Sequence, residues 1–287
     1  MTSKSGLRFK NAKLINMTSK MLSRLFLLLI MFTLVACSST NDEPEYVERS
    51  VEEIYNQAFD SLKERNFRRA ALEFDEVERQ HPYSIWARRA MLMSAYSYYQ
   101  QNKYSDAVLT ARRFLALHPG NKNAPYAYYL IAQSYYEQIS DVSRDQKNTE
   151  LAVQALRDVI RRYPETDYAR DATLKLDLTY DHLAGKEMEV GRFYMKNQFY
   201  IAASKRFRNV LLKYQTTSHV EEALHRLTEI YLTLGIESEA RSTAAVLGYN
   251  YPDSEWYKDS YRMLVDRDFS PEVEETSWFR KFWQSIF

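Results

Sequence analysis

Five times between residues 81 and 260 the chain repeats one phrase: HPYSIWARRA at 81–90, HPGNKNAPYA at 118–127, YPETDYARDA at 163–172, YQTTSHVEEA at 214–223 and YPDSEWYKDS at 251–260. An aromatic residue or His precedes Pro (Gln215 replaces it once), and a small residue stands eight positions further on. The phrase starts at intervals of 37, 45, 51 and 37 residues. A period of this length marks a helical solenoid, whose units bury their apolar faces only by stacking. The phrase reads as the turn between two units. Pro ends the preceding helix, Ser, Thr or Asp soon after it can cap the next one, and the small residue allows a close helix approach.

Working back from each turn exposes two helices per unit. The second helices carry Ala70, Phe74 and Val77; Ala107, Ala111 and Phe114; Ala152, Leu156 and Val159; Ala203, Phe207 and Val210; Ala240, Ala244 and Leu247. This i, i+4, i+7 spacing is the apolar stripe of an amphipathic helix. The first helices offer Ala58; Met91, Ala95 and Tyr98; Tyr128, Ala132 and Tyr135; Gly191 and Tyr194; and Leu224, Thr228 and Tyr231. The expected fold is all-α, a right-handed α-solenoid of about five helical hairpins of tetratricopeptide (TPR) type.

Two departures shape the expected organisation. Unit three carries about eight extra residues between its helices within ISDVSRDQKNTE, which read as a polar loop. Residues 167–196 lack a proline break and read as one long helix shared by units three and four, with Gly185 too weak a signal to end it. An N-terminal half at 50–166, holding units one to three, then precedes a C-terminal half at 167–262 with the bridging helix and units four and five. The tail at 263–287 ends in Trp278, Phe279, Phe282, Trp283 and Phe287, one apolar face at helical spacing. Two readings stand for it: a cover for the open end of the solenoid, or a dock for a partner or the membrane interface.

Residues 25–36 are apolar except for Thr33, too few for a membrane span of about 20 residues. With Lys20 and Arg24 ahead of them they read as the core of an export signal at 1–36. Met17 and Met21 are alternative starts, so residues 1–16 need not be translated. The run stops at Cys37, the single cysteine of the chain, directly before a polar, acidic stretch that reads as a flexible tether to residue 49. One reading makes Cys37 a small residue ending the signal. The other follows the likeness of Leu34-Val35-Ala36-Cys37 to the bacterial lipobox, in which the cysteine is acylated and becomes the new N-terminus. Several acyl chains, at about 0.8 kcal/mol per buried methylene, make such an anchor effectively permanent. Ser38 follows the cysteine, which resembles the signal for onward sorting to the outer membrane, with the protein on its periplasmic face.

Without its first 36 residues the chain holds 33 Lys and Arg against 38 Asp and Glu, a net of −5. That balance argues against nucleic acid as a partner. No cofactor is expected beyond the covalent lipid on Cys37. Of the five histidines, His81 and His118 belong to the repeat turns, and His219 and His225 do not share a helical face. No HExxH, GxSxG or phosphate-cradling glycine loop occurs. An enzyme is therefore not expected, and the surface is left to carry the function. Twenty-three tyrosines suit a groove for extended apolar or aromatic peptide segments. The pairs Arg68-Arg69, Arg88-Arg89, Arg112-Arg113 and Arg161-Arg162 are either solvated faces or grips for a carboxylate-bearing peptide.

A lipobox, five TPR-like units and a long helix between the third and fourth together resemble the BamD family, lipoproteins of the outer-membrane β-barrel assembly complex. The likeness covers about residues 50–262 and rests on IYNQAFDSLKERNFRRAALEFDEVERQHPY, VIRRYPETDYARDAT and FYMKNQFYIAASKRFRNVLLKY among other stretches. It implies a periplasmic scaffold on the outer membrane. Its C-terminal repeats would grip a BamA-like barrel insertase, and its N-terminal repeats would bind unfolded outer-membrane proteins; other accessory Bam lipoproteins are further partners. By the same resemblance Arg206 is the arginine that salt-bridges the insertase or substrate. His81 stands where the family has Tyr at a substrate contact. The alternative is another periplasmic TPR lipoprotein, such as a pilus or secretin assembly factor or a cell-wall-associated adaptor.

Overall fold

The computed structural model describes residues 49–272. The signal, Cys37, most of the tether and the aromatic cluster of the tail lie outside the described residues. Among the described residues the chain forms eleven helices and no strand. They run as hairpins: α1 (Val51–Lys63) with α2 (Phe67–Gln80), α3 (Ile85–Gln100) with α4 (Tyr104–Leu117), and α5 (Ala124–Tyr136) with α6 (Lys147–Arg162). The series continues with α7 (Asp167–Lys196) and α8 (Tyr200–Lys213), then α9 (Val220–Thr233) and α10 (Glu237–Asn250), and α11 (Glu255–Val265) follows. Consecutive helices pack on one another, and first helices also touch across units: α1 with α3, α3 with α5, α5 with α7, and α9 with α11. This is the expected all-α repeat architecture.

The repeated phrase folds the same way five times. His81, His118, Tyr163, Tyr214 and Tyr251 end their helices with φ between −132 and −137° and ψ between 45 and 61°. Each donates its backbone N–H to the carbonyl four residues back, at 2.8–3.0 Å. Each carbonyl then accepts the N–H three residues on, at 3.1–3.2 Å. Gln215 preserves this geometry without proline, so the hydrogen bonds define the turn and proline reinforces it by forbidding helix. Ser84 and Thr166 cap the following helices through their side-chain oxygens, as the pattern predicts, whereas Asn123, His219 and Ser254 at the other three turns make no side-chain cap.

The turns inside four hairpins have a different geometry. Arg65, Asn102, Gln198 and Gly235 take positive φ of 60–72°. The next residue in each case donates its N–H to the carbonyl five residues back, at 2.8–3.0 Å, which closes the helix end in a Schellman motif. Only Gly235 adopts this conformation without steric cost.

All fifteen stripe residues of the second helices are 0 % exposed. Opposite them on the first helices stand Ala58, Ala95, Ala132 and Thr228, also 0 % exposed, and in unit four Gly191. A Cβ at Gly191 would lie 2.5 Å from the Phe207 ring, so this hairpin closes only on glycine. The 30 residues of α7, about 45 Å long, pack on α5, α6 and α8. Gly185 lies inside α7 near Val142 and His219, at 3.7 and 3.3 Å from its ideal Cβ. The inserted loop is thus not purely a polar excursion, because Val142 brings it onto α7.

α11 covers α9 and α10: Tyr257 lies over Gly248, and the buried His225 Nδ1 is 2.9 Å from the Ser260 hydroxyl. It ends in the same Schellman turn as the first helices, with Asp268 at φ 59°. Eight residues before that turn's last residue, where Ala58, Ala95, Gly191 and Thr228 stand in other units, it carries the half-exposed Tyr261.

Candidate partner-binding surfaces

The first candidate surface is the face shared by α3, α5 and α7. Tyr129 and Tyr126 place their ring centroids 5.1 and 5.8 Å from that of Tyr168, and Tyr99 lies 5.7 Å from Tyr104. The Tyr129 hydroxyl donates to Asp171 at 2.7 Å, and Lys175 pairs with the same carboxylate while lying 5.7 and 5.8 Å from the Tyr129 and Tyr136 ring centroids. Glu137 accepts from Tyr99 at 3.1 Å and from Gln133 at 2.7 Å. Burial first, and for Tyr129 the Asp171 carboxylate second, pushes the Tyr126 and Tyr129 hydroxyls far above the usual tyrosine range. They stay protonated at any physiological pH. Such a surface offers rigid rings with little rotamer entropy to lose, framed by hydroxyl and amide groups, which suits apolar or aromatic segments.

His81 lies at the turn after α2. Its Nε2 is 2.8 Å from the Arg49 carbonyl oxygen and therefore donates to it, while the Arg49 N–H donates to Gln80 Oε1 at 3.1 Å. The ring ties down the chain where it approaches α1. Tyr83, two residues on, is 98 % exposed.

Arg206 lies on α8 facing Glu187 of α7. Its Nη1 is 3.3–3.4 Å from the two carboxylate oxygens, and Asn209 donates to Glu187 Oε2 at 3.2 Å. These are long contacts, on one nitrogen of a group with five donors. With its side chain 39 % exposed, Arg206 retains Nε and Nη2 for a second carboxylate. The neighbouring α7–α9 contact is tighter. Arg192 grips Glu222 through Nε at 2.8 Å and Nη2 at 2.6 Å, and Arg226 contacts Glu222 at 3.4 Å and Glu229 at 2.9 Å.

Most of the expected basic pairs are held by their own neighbours. Arg69 pairs with Glu73, Arg113 with Glu78, and Arg161 and Arg162 with Asp158, while Arg112 donates to the Tyr135 hydroxyl and Arg89 lies over Trp86. Glu187 and the Arg192–Glu222 clamp have no local signal, because their partners are 19 and 30 residues away. The hairpin register could have found the first, since Gly191 against Phe207 brings residue 187 opposite 206–209. Among the described residues no three His, Cys, Asp or Glu come together to hold a metal, and no helix is long and apolar enough to cross a membrane.

The YfiO family, described as "Outer membrane lipoprotein", matches residues 47–247. The outer membrane protein assembly factor BamD of Caulobacter vibrioides is 50% identical over 248 residues, which is 86% of this chain and 81% of that protein. The chain belongs to the BamD family. BamD of Rickettsia prowazekii is 45% identical over 86% of this chain and 97% of its own length, and BamD of Neisseria meningitidis serogroup A is 37% identical over 71% and 80%. A thermophilic TPR protein of Thermus thermophilus, 18% identical, covers 75% of this chain and 98% of that one with a TM-score of 0.36. At the family level the chain is an outer membrane protein assembly factor.

Proposed function

We propose that the chain is a non-catalytic scaffold held on the periplasmic face of the outer membrane by acyl chains on Cys37. Its C-terminal hairpins dock the barrel insertase around Arg206. Its N-terminal hairpins present unfolded outer-membrane proteins on the tyrosine face of α3, α5 and α7, with the turn holding His81 and the exposed Tyr83 as a further substrate contact. Other accessory lipoproteins of the assembly machinery join the same scaffold. The observation that carries this reading is the 45–50% identity to BamD assembly factors over 86% of the chain. The half-used guanidinium of Arg206 supports it locally, because a partner carboxylate can take the two free donors side by side.

Arg206→Glu tests the docking half. Glu187 then faces a like charge, and the variant is expected to keep the helical signature of the wild type while recovering at least about tenfold less insertase on copurification. A folded variant that recovers the insertase normally would remove Arg206 from the interface.

A further inference from the structure

A groove between α6, α7 and α8 lies outside the surfaces assigned above. Two adjoining cavities of about 540 and 460 Å³ share Gln154 and Arg157, and so form one trough along α6. Ile160 and Leu176 line one end; Val153, Leu183 and Leu212 line the other beside Tyr180 and Tyr214, whose ring centroids are 6.0 Å apart. Arg157, Arg161 and Lys213 are the cations of the trough, and Glu150 and Asp158 its acids. Asp158 is already engaged by Arg161 at 2.5 Å and Arg162 at 3.9 Å, both pairs open to solvent. Arg157 lies 5.4 Å from the Tyr180 ring centroid. Among the described residues neither Arg157 nor Lys213 has a carboxylate partner.

We infer that this trough docks an extended protein segment in which carboxylates alternate with apolar side chains. Arg157 and Arg161 are four residues apart on α6, about 6 Å along its axis. An extended chain places alternate side chains on one side about 6.6 Å apart. Carboxylates two residues apart therefore meet the two arginines in succession, with Lys213 at the Tyr214 end for a third. The intervening apolar side chains turn towards Leu176 and Tyr180 on α7. Residues 150–161 run about 16 Å, room for about five extended residues. That length and the apolar lining favour a peptide over a single anionic headgroup. A segment seated there touches α6 of unit three and α8 of unit four together.

The test uses the full chain from residue 37 with Cys37→Ser, and a fluorescein-labelled peptide Leu-Glu-Tyr-Glu-Leu-Glu-Leu read by anisotropy. Binding is expected to weaken at least about tenfold in the double variant Arg157→Glu, Lys213→Glu, and equally when the peptide carries Gln for Glu. Lys205→Glu, the same kind of charge reversal at a single exposed position elsewhere on α8, should leave binding unchanged, and the unfolding midpoints of all variants should match the wild type. Equal binding by the double variant, or no binding at millimolar peptide, overturns the inference. Vesicles containing phosphatidylglycerol that bind through Arg157 while the peptide does not would overturn it in favour of a headgroup site.

Discussion

Gly191 and Gly185 stand six residues apart on α7 and should answer substitution in opposite ways. A Cβ at 191 would meet three atoms of the Phe207 ring within 3.0 Å, and that ring is wholly buried. Gly191→Ala is therefore expected to destabilise the chain by about 1–3 kcal/mol through overpacking. A Cβ at 185 meets nothing closer than the His219 ring at 3.3 Å, and alanine gains about 1 kcal/mol of helix propensity there, so Gly185→Ala should be neutral or stabilising. Thermal unfolding of the two variants separates them, and equal midpoints would contradict the packing account. The small-residue position in unit four could be read from the sequence because four other units display it. The neighbourhood of Gly185 could not, because it is made by Val142 and His219, which are remote in sequence.

At the scale of elements, the junction of α7 with α9 turns on Glu222. Burial alone would raise its pKa, but the hydrogen bond and charge of Arg192 and the charge of Arg226 outweigh burial and hold the carboxyl below its ordinary value. The folded pKa thus lies beneath the unfolded value near 4.3, so the stabilisation from this clamp is fully present above about pH 5 and fades as pH falls through the folded pKa. Glu222→Gln should lower stability at pH 7 and flatten the acid limb of a stability–pH curve measured by urea unfolding. An acid limb unchanged from the wild type would exclude the clamp. The unit turns and the length of α7 were legible because proline, aromatic and small residues recur in register. The turns inside hairpins were not, since Arg65, Asn102 and Gln198 take a conformation that glycine usually signals. Long-range pairs such as Arg192–Glu222 depend on which helices meet, and no spacing within one helix encodes them.

At the scale of the whole molecule, the proposed anchor and the proposed partner surfaces must cooperate. Cys37→Ala should release the protein from the outer-membrane fraction or mislocalise it, and an unchanged outer-membrane fraction would remove lipidation from the account. The repeat architecture and the family were legible in the sequence, because the stacking pattern recurs through the chain and the family's stretches span both halves. The tyrosine face was visible only as composition; its assembly from α3, α5 and α7 required the packing of first helices across units. The central claim is that the C-terminal hairpins hold a barrel insertase. Its most direct test is purification of the native protein from membranes in mild detergent, followed by crosslinking mass spectrometry. The account predicts crosslinks from α7, α8 and α9 to the periplasmic domains of an outer-membrane barrel protein. Recovery of secretin, pilus or cell-wall components in its place would contradict it.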